Sequence, residues 1–160
     1  MRSILFVCTA NICRSPTAEG VLRRMVALNN LVSSVEIESA GTHEYQVGKP
    51  PFPEAVQTAK KRGYDITGCV SRAVAPNDFD HYDMILVMDK ANLRHLKTIA
   101  PTRSKQKIEL LLEYGDKFHG MEVPDPFNGT EKDYQLAFDM IEDGCAGLIE
   151  LLKRTTRRAS

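Results

Sequence analysis

Apolar positions along the chain switch between two spacings. Ser3–Val7 (SILFV) is an unbroken apolar run of strand formers, as a parallel strand buried on both faces requires. From Pro16 to Asn29 the residues Ala18, Val21, Leu22, Met25, Val26 and Leu28 recur at helical spacing. This predicts a helix with Ser15 as N-cap and Pro16 at its first position. Val35–Ser39 reads as a second strand, turned by Ala40–Gly41. His43–Pro53, with Gly48, Pro50, Pro51 and Pro53, reads as a loop. Glu54–Arg62 predicts a short helix stopped by Gly63, Met84–Met88 another buried strand, and Lys90–Ile99 a helix ended before Pro101. Lys107–Leu112 is expected as a last strand and Val123–Asn128 (VPDPFN) as a stiff loop. A long helix over 130–152 follows, with Gly144 and Gly147 tolerated inside it. The order is β-α-β-α, so the fold class is α/β, a doubly wound parallel sheet with helices on both faces. Residues 1–160 carry no internal repeat, low-complexity tract or linker and are expected as a single domain. The basic tail KRTTRRAS is expected to be a frayed, solvated end.

Composition narrows the function classes. The chain is 42% apolar and 26% charged, which suits neither a disordered nor a membrane protein. Lys and Arg total 21 against 21 Asp and Glu, so net charge makes no case for nucleic acid. The first apolar run meets Thr9 too soon for a signal peptide, and no stretch suffices to span a bilayer. A cytoplasmic location without membrane partner is expected, where thiols stay reduced. Cys8, Cys13, Cys69 and Cys145 form no CxxC or Cys/His ladder, so no metal is expected. Cys69 and Cys145 read as inert thiols, His43, His81, His95 and His119 as surface residues, and Asp89 as a strand end or helix cap. Lys49 is not a Walker lysine, since no Gly-rich loop before it enters a helix.

The stretch VCTANICRSP (Val7–Pro16) has no core-packing explanation. It lies between the first strand and first helix, at the strand end where open α/β sheets bind ligands. There the backbone N–H groups of Thr9, Ala10, Asn11, Ile12 and Cys13, backed by a helix N-terminus, would form an anion nest. Arg14 could grip two anion oxygens in a bidentate fork. Helix N-termini and arginines favour thiolate over thiol, so Cys8 would be a nucleophile aimed at the anion's centre. Ser15 could hydrogen-bond the sulfur, and Asn11 could shape the loop by taking a positive φ. Asp125, fixed between Pro124 and Pro126, could protonate a leaving oxygen and later deprotonate water. Cys13, in the same tight loop, is the nearest thiol to resolve an oxidised Cys8.

VCTANICRSP resembles the signature of the low-molecular-weight protein tyrosine phosphatases. SAGT (Ser39–Thr42), VGKPP (Val47–Pro51), MD (Met88–Asp89) with NL (Asn92–Leu93), and DPF (Asp125–Phe127) follow in the family's order, so the resemblance covers nearly the whole chain. It implies a four-stranded parallel sheet with the phosphate loop after strand one. It also implies Cys8 as nucleophile, Arg14 as phosphate clamp and Asp125 as general acid, acting without cofactor on phosphotyrosine-containing proteins. Tyr45 and Phe127 would wall the substrate cleft. A monomer or weak dimer is expected. Three departures stand out. Ala10 replaces the usual glycine, and its methyl would crowd the loop at positive φ. A histidine that often supports the loop asparagine is missing, with Cys69 or Val70 near its place. Asn128 stands where eukaryotic members commonly have a second aromatic. Rival readings are a phosphoarginine phosphatase, an arsenate-reductase-like redox enzyme, and a phosphate-binding module without turnover. Ile12, apolar where arginine phosphatases look to have threonine, favours a phenyl ring over a guanidinium.

Overall fold

The computed structural model describes residues 2–159. Four strands, β1 (Arg2–Cys8), β2 (Val35–Gly41), β3 (Met84–Val87) and β4 (Ile108–Leu110), form one sheet in the order β2-β1-β3-β4. Every pairing is parallel. Successive side chains of β1 enter opposite cores: Ile4, Phe6 and Cys8 face one, Leu5 and Val7 the other. That double burial is why the strand is apolar throughout. The first core is covered by α1 (Arg14–Leu28), α2 (Pro53–Lys61) and α5 (Glu131–Ala159). The second is covered by α3 (Asp78–His81) and α4 (Lys90–Ile99). No helix among the described residues is long and apolar enough to cross a membrane.

β1 is the central switch of this topology. The chain leaves it for β2 on one side, while β3 flanks it on the other, opening a crevice at the strands' carboxyl ends. Register brings the strand ends level, with Cys8 beside Gly41 and Val7 beside Val87. The loops after β1 and β3 therefore meet at one point.

Several boundaries differ from expectation. Helix α1 starts at Arg14, with Cys13 at the cap position but making no side-chain capping bond. Ser15 is not the cap, because its hydroxyl is turned toward Cys8. Pro16 is thus the third helical residue rather than the first. It is still within the first turn, where N–H groups lack helical partners anyway. Only Ile108–Leu110 of the last predicted strand is extended, and Leu111–Tyr114 tightens into a 3-10 turn. That turn packs on α5 through Gly144 and Gly147. A Cβ on Gly147 would lie 1.7 Å from the Tyr114 carbonyl oxygen, so both glycines are packing requirements rather than tolerated breaks. The short helix α3 has no periodic signal of its own. Most of the basic tail continues α5 as far as Ala159, where the expectation was fraying. Thr155 bonds back to the carbonyls of Leu151 and Leu152, and Lys153 pairs with Glu150. The tail's last residue, Ser160, lies outside the described residues.

Candidate active site

The loop from Cys8 to Cys13 is fixed from behind. Asn11 sits at φ 59° and is 3% exposed. Its Nδ2 donates to Ser15 Oγ (2.7 Å) and Ser39 Oγ (3.0 Å), and its Oδ1 accepts from the Arg72 N–H (3.0 Å). An asparagine tolerates this backbone and supplies both donor and acceptor. Ala10 is not among the positive-φ residues, so its methyl does not crowd the loop. The loop's carbonyls are held by outside donors. Thr42 and His43 N–H bond the carbonyls of Cys8 and Thr9, Ser71 Oγ that of Ala10, Phe52 N–H that of Ile12, and Thr17 Oγ1 that of Cys13. The N–H groups of Thr9 to Cys13 find no acceptor within the described chain. These are the groups that the sequence assigns to an anion nest.

Cys8 is 3% exposed, yet it lines a cleft of about 320 Å³ at the loop's mouth. Its sulfur lies 3.0 Å from Ser15 Oγ and 3.4 Å from the Ser15 N–H. Arg14, 2% exposed, donates to Asp89 Oδ2 (2.6 Å), the Val123 carbonyl (3.0 Å) and Thr9 Oγ1 (3.4 Å). Burial alone would loosen Arg14's hold on its proton. The negative charges of Cys8, Asp89 and Asp125 outweigh it, and its pKa is raised. Asp125 approaches the same guanidinium at 3.8 Å with a half-exposed side chain. Its other oxygen accepts from the Phe127 N–H at 3.1 Å.

All eleven sequence-predicted site residues gather here. Nine line the cleft directly, while Asn11 holds the loop and Ser15 the sulfur from behind. Phe127 is propped edge-on by Phe52 (5.0 Å), and Tyr45 stacks on His43 (4.9 Å). His43 in turn contacts His95 at 4.9 Å. These two histidines are half-buried braces of the cleft wall, a correction to their reading as surface residues. Sequence reasoning also missed Gln46 in the lining, and the full role of Asp89. Asp89 caps α4 through Oδ1, as expected, while Oδ2 clamps Arg14. A cap signature is local and does not reveal a second oxygen's partner 75 residues away.

The remaining thiols hold their protons more tightly than a free thiol does. Burial, then the nearby Cys8 charge, pushes the Cys13 thiol up to about 12. Its sulfur lies 4.0 Å from the Tyr134 hydroxyl. Cys69 is pushed up to about 12 by burial and by Glu19. Cys145 is fully buried and also raised.

A sequence profile described as low molecular weight phosphotyrosine protein phosphatase matches residues 3–158. The chain belongs to this family. The family's chicken phosphatase is 38% identical over 152 residues, covering 94% of this chain and 95% of its own. The crystal structure of a protein tyrosine phosphatase from Entamoeba histolytica superposes with a TM-score of 0.93 at 35% identity, covering 98% of this chain and 99% of that one. The YwlE arginine phosphatase superposes with a TM-score of 0.85 at 29% identity, covering 97% and 98%. The Ser39 hydroxyl and the Arg72 N–H hold Asn11, and Ser39 is itself anchored on Glu19 Oε1 at 2.7 Å.

Proposed function

We propose that this chain is a protein-tyrosine phosphatase that hydrolyses phosphotyrosine and small aryl phosphates through a cysteinyl-phosphate intermediate. One observation carries the reading: the Cys8 sulfur sits at the floor of an N–H-lined loop, with Arg14 and Asp125 converging on the same cleft. Cys8 attacks phosphorus, the phosphorus–oxygen bond to the leaving group breaks, and Asp125 gives its proton to that oxygen. Water then attacks the phosphorus, passing a proton to the Asp125 carboxylate as the sulfur–phosphorus bond breaks. The departing thiolate is received by the Ser15 hydroxyl and N–H. Arg14, held by Asp89, and the loop N–H groups carry the phosphoryl charge, a task given to metal ions in other phosphoryl-transfer sites. Tyr45, Phe127 and Ile12 support an aromatic leaving group, since all three line the cleft.

The same reading has the enzyme act on phosphotyrosine-containing proteins in the cytoplasm, as a monomer or weak dimer. Four unpaired cysteines agree with a reducing compartment. Sensitivity to peroxide, through sulfenic acid at Cys8 and a bridge to Cys13, belongs to it too. The likeness to an arginine phosphatase keeps phosphoarginine as the second reading. Turnover of aryl phosphate, phosphotyrosine peptide, phosphoarginine, and arsenate with thiol decides among them. Phosphotyrosine peptide is expected to lead by kcat/KM. A preference for phosphoarginine or arsenate, or activity lost to chelator and restored by a divalent ion, would overturn the proposal.

A further inference from the structure

Four residues close a ring behind the cleft, and one of its atoms is left with a single outlet. Asp89 Oδ2 accepts from Arg14, whose other terminal nitrogen donates to Thr9 Oγ1 at 3.4 Å. Asn92 Nδ2 donates to the same Thr9 oxygen at 3.2 Å, and the Asn92 N–H returns to Asp89 Oδ1 at 2.8 Å. The Thr9 hydroxyl has two lone pairs and one proton. Both lone pairs face nitrogens that only donate. No acceptor for its proton exists among the described residues, and Thr9 lines the cleft.

We infer that the Thr9 hydroxyl is a further substrate-contacting group, whose proton the Asn92–Arg14 pair directs into the cleft, onto an oxygen of the phosphoryl group gripped by Arg14. The inference rests on the phosphatase reading above. The same amide orientation has a second consequence. Asn92 is 2% exposed, and its Oδ1 has no hydrogen-bond partner. A buried acceptor left unpaired is unfavourable and wants an explanation. Turned over, the amide would offer Oδ1 to the Thr9 proton and draw that proton out of the cleft. The observed orientation leaves Oδ1 unpaired and keeps the proton facing the substrate. Asn92 is thus a positioning residue acting through Thr9.

Thr9→Val keeps the shape and removes the hydroxyl, whereas Thr9→Ser keeps the hydroxyl. For aryl phosphate, kcat/KM is expected to fall about tenfold or more in Thr9→Val, as for one lost hydrogen bond to a charged oxygen. The inhibition constant of inorganic phosphate should rise in step, and Thr9→Ser should recover most of both. Asn92→Ala should lower kcat/KM in the wild-type background and have no further effect in Thr9→Val, a non-additivity that merely loosened packing does not produce. Thr9→Val within twofold of wild type, Thr9→Ser impaired as much as Thr9→Val, or additive Asn92 and Thr9 effects would overturn the assignment. If wild type hydrolyses no phosphomonoester, the phosphatase reading itself fails. Calorimetric binding of inorganic phosphate to wild type and Thr9→Val then still decides the contact: unchanged affinity refutes it.

Discussion

The two loops that meet at the cleft are built in opposite ways. The Cys8–Cys13 loop is largely buried, and hydrogen-bond partners on β2, the segments after β2, α1 and Ser71–Arg72 hold it at nearly every residue. The Val123–Asn128 loop is mostly exposed. The ties at its functional end are the Phe127 N–H to Asp125 and the Gly129 N–H to Pro126, with two prolines stiffening the backbone. Each loop contains an asparagine at positive φ: Asn11 at 59° and Asn128 at 62°. Asn11 is locked by three side-chain hydrogen bonds, while Asn128 is exposed. The difference follows the chemistry. Stabilising developing phosphoryl charge needs dipoles fixed before reaction. A group that must give a proton to one oxygen and take it from another needs access to solvent and room to adjust.

The largest expected effect strikes the rigid loop. Cys8→Ser should lower kcat by at least roughly 10⁴-fold, because the nucleophile is lost, yet inorganic phosphate or vanadate should still bind in the intact nest. Turnover at a tenth of the wild-type rate would remove Cys8 from the nucleophile's role. Asp125→Asn, in the exposed loop, should cost about 10²–10⁴-fold with poorly acidic leaving groups and much less with acidic phenols. An equal loss across a series of leaving groups would show that Asp125 is not the acid. The asparagine pair tests the contrast in stability. Asn11→Ala forfeits three buried hydrogen bonds and strains the backbone, for about 2–4 kcal/mol in denaturant melts, against about 1 kcal/mol for Asn128→Ala. Equal losses would mean that the two loops are not differently anchored. The smallest effect concerns specificity. Ile12→Thr should narrow the preference for phosphotyrosine over phosphoarginine by about tenfold or less, as an ethyl group gives way to a hydroxyl. A kcat/KM ratio that stays put would take Ile12 out of the discrimination.

The strands, the principal helices and the site loop were all legible in the sequence, because each depends on neighbours within a few residues. SILFV reads as a doubly buried strand wherever it lies, and Asn11 inside a strand-to-helix turn already suggests a left-handed backbone. Cys8, Arg14 and Ser15 are placed by that same short stretch. Other features depended on partners remote in sequence. Ser15 has the chemistry of a helix cap, and only the position of Cys8 over the start of α1 turns its hydroxyl to the sulfur. Asp89 has the signature of a cap, and its grip on Arg14 exists because parallel pairing of β1 with β3 brings two strand ends level. His43 and His95 brace the cleft only because the segment after β2 folds against α4. Periodicity and turn chemistry are local and thus decided by sequence. The second hydrogen bond of a polar side chain goes to whatever the sheet register brings near, and that only the tertiary structure decides.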